Sequence, residues 1–147
     1  MHRDFNYDSD LLLEDSLDSA GASSPIITSQ AGKVLDVAEV IDIGTGFFDG
    51  NLVIDVSALE VGTDEYYELK LQGAAVVGFT GDIQDLAYIK LGIAATLVGT
   101  VDSAIGRYVV PCSNEKNGTT YQYLRFYALV FNGTAESITL KAWLTKR

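Results

Sequence analysis

An all-β domain, either a sandwich or a barrel, is the fold this sequence predicts, and three observations predict it. Apolar and polar residues alternate at period two through NLVIDVS, YYELKLQ and SITLKAWLT, as in strands with one face on a core and one face wet. Fourteen glycines stand against two prolines in 147 residues, which suits a turn-rich β protein. Asn117-Gly118 and Asn132-Gly133 punctuate the apolar runs near the C-terminus. Asn-Gly takes positive φ at both central positions of a type I′ turn, so it is the strongest short-range hairpin signal.

Taken in order, the elements begin after an acidic arm. Residues 1–25 hold Asp4, Asp8, Asp10, Glu14, Asp15 and Asp18 against Arg3 alone, and end in the small-residue linker AGASSP. Phe5, Tyr7, Leu11, Leu12, Leu13 and Leu17 are too few apolar groups to fold alone, so the arm is either flexible or ordered against something else. Residues 26–147 form the β domain. Leu52, Ile54 and Val56 oppose Val53, Asp55 and Ser57; Tyr67, Leu69 and Leu71 oppose Tyr66, Glu68, Lys70 and Gln72. Residues 83–98 fit a helix in part, but Gly92 and the β-branched residues favour a strand followed by a loop. The last forty residues read as three strands joined by turns that carry Asn-Gly. In the middle one, residues 121–131, Leu124, Phe126, Ala128 and Val130 share one side, and Tyr121, Tyr123, Arg125, Tyr127, Leu129 and Phe131 the other. Such a strand is central, with its outer face covered, or it presents a partner surface. Ile138, Leu140, Ala142 and Leu144 oppose Thr139, Lys141, Trp143 and Thr145. Seven or eight strands of this kind imply a sandwich or barrel.

A chain of this length buries roughly 70% of its unfolded surface and needs no disulfide or metal to hold a core. Ten Lys and Arg against twenty Asp and Glu make the net charge −10. That charge repels a phosphate backbone or an anionic membrane, so neither nucleic acid nor membrane is an expected partner. Cys112 is the only cysteine and reads as a buried structural thiol. No apolar run approaches the ~20 residues that span a bilayer, and the leucine triplet, flanked by acids, is too short for an export signal.

The residues argue against catalysis. The sole histidine, His2, sits beside the first Met in the arm, away from any preorganised partner. Asn6-x-Asp8-x-Asp10 opens like a calcium loop, but Leu11 and Leu17 stand where such a loop wants Gly and Glu. Carboxylates are plentiful without a cleft motif to pair them. Gly44-Thr45-Gly46 lacks the Lys-Ser/Thr of a phosphate loop and reads as a turn. The sequons at Asn117 and Asn132 read as hairpin turns. No enzyme activity, metal or cofactor is expected.

Several segments carry a resemblance. They are Ile41-Asp42-Ile43-Gly44, NLVIDVSALE, YYELKLQG, Gly106-Arg107-Tyr108-Val109-Val110-Pro111, Asn114-Glu115 and GTTYQYLRFYALVFNGTAESITLKAWL. In this order, covering most of residues 41–144, they resemble the cement or decoration proteins of tailed-bacteriophage capsids, most closely the Bordetella-phage cement type. The resemblance implies a jelly-roll-like antiparallel β-sandwich with an extended N-terminal arm. It also implies a mechanical role on the capsid exterior of the virion, after synthesis in the host cytoplasm. Copies would bind across junctions between major capsid protein subunits, as homodimers or homotrimers. Leu11, Leu12 and Leu13, with Phe5 and Tyr7, are then candidate capsid-binding residues of an arm that orders on binding. Tyr121, Tyr123, Arg125, Tyr127 and Trp143 are candidates for self-association or a partner face. A second reading is a carbohydrate-binding sandwich of a phage tail or adhesin, with Tyr66, Tyr121, Tyr123 and Trp143 as a stacking platform.

Overall fold

The computed structural model describes residues 9–99, 101–131 and 135–146. After a 3-10 turn at Ser9–Leu11 come β1 (Leu12–Glu14), β2 (Gln30–Ala31), β3 (Lys33–Val34), β4 (Val37–Ala38) and β5 (Ile41–Asp42). The longer strands β6 (Asp49–Leu59), β7 (Tyr66–Ala74) and β8 (Ile83–Gly92) follow, then a single helical turn α1 (Ala94–Leu97). The chain continues through β9 (Gly106–Ser113), β10 (Glu115–Lys116), β11 (Thr119–Thr120), β12 (Tyr123–Phe131) and β13 (Ile138–Lys146).

Two antiparallel sheets form a β-sandwich. The first has the order β1-β13-β6-β9; the second has β2-β12-β7-β8, with β5 also pairing with β12. Strands distant in sequence pair in a nested way, β6 with β13 and, inside them, β7 with β12. That nesting is the jelly-roll-like feature. The alternation read from sequence sets the layers. Leu52, Ile54, Leu140, Ala142 and Leu144 of the first sheet meet Tyr67, Leu69, Leu71, Leu124 and Phe126 of the second in one buried core. Cys112 is buried in the same core.

The C-terminal strands are where expected, but their pairing is not. β9 and β13 both pair with β6, whereas β12 pairs with β7. The Asn117-Gly118 turn does carry positive φ at both residues, yet it closes only the small β10–β11 hairpin. A two-residue turn joins neighbours in one sheet; here the chain changes sheet from β9 to β12 and again from β12 to β13. Asn132-Gly133 lies outside the described residues.

The arm is not a separate segment from Leu12 onward. β1 forms the edge of the first sheet through Leu12↔Trp143 and Glu14↔Ala142, and Leu13 is fully buried in the core. A β-bulge between Thr139 and Leu140 interrupts the β13–β6 ladder. The Leu140 N–H donates instead to Ser16 Oγ at 3.1 Å, and Ile26 exchanges two backbone hydrogen bonds with Ile138. Gly32 is required here, because a Cβ would run into the Leu13 carbonyl oxygen.

Glu14 pins this arrangement. Its two carboxylate oxygens accept the Ser16 and Lys33 backbone N–H groups, each at 2.8 Å, and the side chain is buried. Burial holds the carboxyl above its ordinary value of 4.5, with the two hydrogen bonds offsetting only part. The folded chain therefore keeps this proton to higher pH than the unfolded chain. Its stabilising contribution is fullest in acid and declines as pH rises from the ordinary value through the raised one. In urea melts, the stability advantage of wild type over Glu14→Gln should shrink as pH rises above the ordinary carboxyl value of 4.5. An unchanged gap would show no net burial penalty on this carboxyl.

Asn114, fully buried, ties the β5–β6 loop to the β10–β11 hairpin. Its Oδ1 accepts the Phe48 N–H at 2.7 Å, and its Nδ2 donates to the carbonyls of Gly46 at 2.8 Å and Tyr121 at 3.1 Å. Asn114→Ala strands these groups and should cost about 2–4 kcal/mol, since each buried orphan costs ~1–3. A chemical-denaturation loss below about 1 kcal/mol would show that the loop re-pairs without the amide.

Candidate binding face

The outer side of the second sheet carries a continuous ladder of aromatic and charged groups. β12 places Tyr123, Arg125, Tyr127, Leu129 and Phe131 there, and β7 places Tyr66, Glu68, Lys70 and Gln72 beside them in register. β8 adds Tyr88 and Lys90 opposite Lys70 and Glu68. A bulge at Leu71/Gln72 sets Asp85 opposite Gln72, so its carboxylate joins the same face.

The side chains hold one another. Arg125 Nε donates to Gln72 Oε1 at 3.0 Å, and Gln72 Nε2 donates to Asp85 at 3.1 Å. Lys70 reaches the other Asp85 oxygen at 2.9 Å. Burial would raise the Asp85 carboxyl, but the Lys70 and Gln72 hydrogen bonds and the Lys70 and Lys116 charges bring it below its usual range. The Tyr88 hydroxyl donates to Glu68 at 3.0 Å; burial and that carboxylate push the phenol up. Tyr66 and Phe131 stack with centroids 4.4 Å apart, and Lys90 lies 4.5 Å above the Tyr66 ring. Arg125 sits 4.3 Å from the Phe79 ring and 5.1 Å from that of Tyr127.

Three of the five residues expected on one partner face are therefore together: Tyr123, Arg125 and Tyr127. Tyr121 is buried, its Cβ near the space a side chain at Gly73 would need. Trp143 lies on the other sheet, 2% exposed, packed with Leu12, Val53 and Val34 and covered by Arg107. The alternation had assigned Trp143 to an outward position correctly; β1 and the β3–β4 hairpin then cover that position. The same covering corrects the anchor expectation. Leu12 and Leu13 are core residues and Leu11 is half-buried against the core, so the triplet presents no exposed apolar anchor. Phe5 and Tyr7, like His2, Asn6 and Asp8, lie outside the described residues.

No protein-family model, curated protein or solved structure matches this chain.

A groove of about 620 Å³ elsewhere on the molecule is lined by Asp10, Leu11, Ile41, Asp42, Phe47 and Lys146 among others. Asp42 there accepts from the Gly44 N–H and from Gln122, and these bonds lower its pKa. Among the described residues no three His, Cys, Asp or Glu side chains gather as a metal site. Sequence reasoning missed Phe79 and Asp85 on the face. Asp85 arrives through a bulge and Phe79 through a loop, and period-two alternation registers neither.

Proposed function

We propose that the chain is a capsid decoration protein, structural rather than catalytic. It binds the outside of an expanded tailed-phage capsid and clamps neighbouring major capsid protein subunits, acting as a homodimer or homotrimer. The carrying observation is the order of resembling segments. They fall mainly on β5, β6, β7, β9, β12 and β13, which make up the two sheets together with β1, β2 and β8. The braced outer face of the second sheet supports a binding role, since its groups are held by one another instead of by covering chain. A clamp that binds only the expanded lattice stabilises it by linkage, and many modest contacts reinforce one another through multivalency.

The carbohydrate reading needed four rings in one platform. Trp143 and Tyr121 are buried, and Tyr66 and Tyr123 stand at opposite ends of the face. Eight residues of strand separate Tyr123 from Phe131, the partner of Tyr66, roughly 27 Å at ~3.4 Å per residue. Decoration is the better-supported function.

Co-sedimentation with expanded and unexpanded capsids tests it. Saturable binding to the expanded shell alone, near an integer ratio to major capsid protein, is the expected result. No binding to either shell would overturn the proposal.

A further inference from the structure

An open sheet presents outward N–H and C=O groups along its edge strands, and most edges of this sandwich are short, covered or interrupted. β2 and β5 are two residues each. β1 lies against β3, where the Asp15 N–H donates to the Lys33 carbonyl at 3.1 Å. β8 pairs with β7 through a bulge; its Gly92 carbonyl accepts the Ser103 N–H at 2.9 Å and its Asp85 carbonyl accepts from Lys116 at 3.1 Å. β9 differs from all of these. It is eight residues long, its ladder with β6 has no register shift, and Gly106, Arg107, Val109 and Pro111 are exposed. Outside that ladder no backbone hydrogen bond reaches β9 among the described residues.

Pro111 shows which way the main chain of this strand faces. A proline within a sheet takes an edge position whose missing N–H points away from the ladder partner, and main-chain direction alternates along an antiparallel strand. Arg107 and Val109 share that orientation, so they turn both N–H and C=O outward. The segment is also neutral in a chain of net charge −10: residues 93–113 contain one acid, Asp102, and one base, Arg107. Both are engaged within the chain. Asp102 accepts the Ala94 N–H at 2.8 Å, and Arg107 pairs with Asp55 at 3.1 Å. Val98, Val101 and Ile105 stand exposed just before the strand. Their loop is pinned by the bonds between Ser103 and Gly92 and by the Tyr108 hydroxyl on the Ala104 carbonyl. The edge is therefore open, regular, apolar and locally uncharged on a strongly acidic molecule.

We infer that β9 pairs antiparallel with β9 of a second copy about a two-fold axis, joining the two first sheets into one continuous sheet. Arg107 of one copy lies opposite Val109 of the other, with Tyr108 at the axis. Every outward N–H and C=O of Arg107 and Val109 then meets a partner, and Pro111 falls beyond the pair, where its missing N–H costs nothing. A strand from another protein laid along the whole edge would run past Pro111 and leave a carbonyl there without a donor. A second copy ends its ladder where the first does. Charge selects the same occupant. An acidic or a basic partner finds no free charge on this segment, whereas the two-fold sets each arginine opposite a valine and brings no like charges face to face. The distant acids of the two copies still repel, so the dimer is weak at low salt and tightens as salt screens them. The pairing needs only a second copy and therefore goes beyond the capsid reading; it leaves the outer face of the second sheet open.

Sedimentation equilibrium of the full chain tests the inference, together with amide hydrogen exchange. A reversible monomer–dimer equilibrium should appear up to about 1 mM protein, and it should tighten at least ~3-fold when salt rises from about 0.1 to about 1 M and the Debye length falls from ~10 to ~3 Å. The Arg107 and Val109 amides should exchange fast in dilute protein and slowly in concentrated protein. Val109→Pro removes an outward N–H and no bond to β6, and should leave the chain monomeric. Val109→Lys lowers the net charge that keeps copies apart, yet should also abolish the dimer by placing a cation on the edge; it provides the test if the proline variant fails to fold. Arg125→Ala, on the other sheet, should dimerise as wild type does. Monomer at every concentration, a trimer, a dimer weakened by salt, amides at 107 and 109 indifferent to concentration, or a dimer untouched by both Val109 variants would overturn the inference. A dimer that binds neither capsid form would leave it standing and overturn the decoration reading; a monomer that binds the expanded shell would do the reverse.

Discussion

Trp143→Ala should destabilise the protein by about 3–5 kcal/mol, the range for truncating a buried tryptophan. The indole is 2% exposed although it points away from the main core. Leu12, Val53 and Val34 surround it in a small second cluster, and the Arg107 guanidinium caps it at 5.2 Å. Removing the ring would leave β1 and the β3–β4 hairpin without the surface they cover. The loss should appear in thermal melts as a fall of roughly 10 °C, at ~2–4 °C per kcal/mol for a chain of this size. Arg107→Ala provides the contrast. Its ion pair with Asp55 is half-exposed, and such pairs contribute about 0–1 kcal/mol. Equal melting of Trp143→Ala and wild type would show that the second cluster adds nothing to stability.

Trp143 also illustrates what the sequence could convey. Alternation assigned the inward and outward faces of β6, β7 and β13, because a one-residue slip would move every apolar side chain to the wrong face. It said nothing about what lies over an outward face. Leu12 of the three-residue β1, Val34 of the β3–β4 hairpin and Arg107 cover Trp143, and segments this short carry no readable period. Charge misled in the same region. Glu14 and Asp15 counted towards the charge of an acidic arm, yet Glu14 is buried between backbone donors and Asp15 accepts the Leu35 N–H across the β3–β4 turn. A carboxylate that satisfies backbone N–H groups looks identical, in sequence, to one that faces water. Asn117-Gly118 was legible as a turn because its φ demand is local. Which strands pair is a property of the whole sandwich, and β9, β12 and β13 took partners far away in sequence. The binding face was half legible: Tyr66, Glu68, Lys70 and Gln72 follow from alternation, whereas the Phe79 and Asp85 contributions depend on a loop and a bulge.

Leu13→Ala should cost about 3–5 kcal/mol, as for large-to-small changes at fully buried leucines. Leu13 is wholly inaccessible and packs in the same cluster as Phe126 and Leu140. The close approach of Gly32 to the Leu13 carbonyl leaves the site little room to collapse, which argues for the upper part of that range. Urea melts would measure it, and a loss under about 1 kcal/mol would return the arm to the status of an appendage. The outcome bears directly on how capsid binding must be tested. Deleting residues 1–20 removes Leu12, Leu13, the Glu14 clasp and the Ser16 hydroxyl that receives Leu140. Lost capsid affinity in that deletion would therefore report a damaged sandwich. Deleting residues 1–8 removes Phe5 and Tyr7 and leaves every one of those core contacts in place. If the shorter deletion keeps wild-type stability but loses binding to the expanded shell, the contact lies in the first eight residues. If it keeps both, the contact lies on the sandwich, where the Arg125 face is the first surface to mutate.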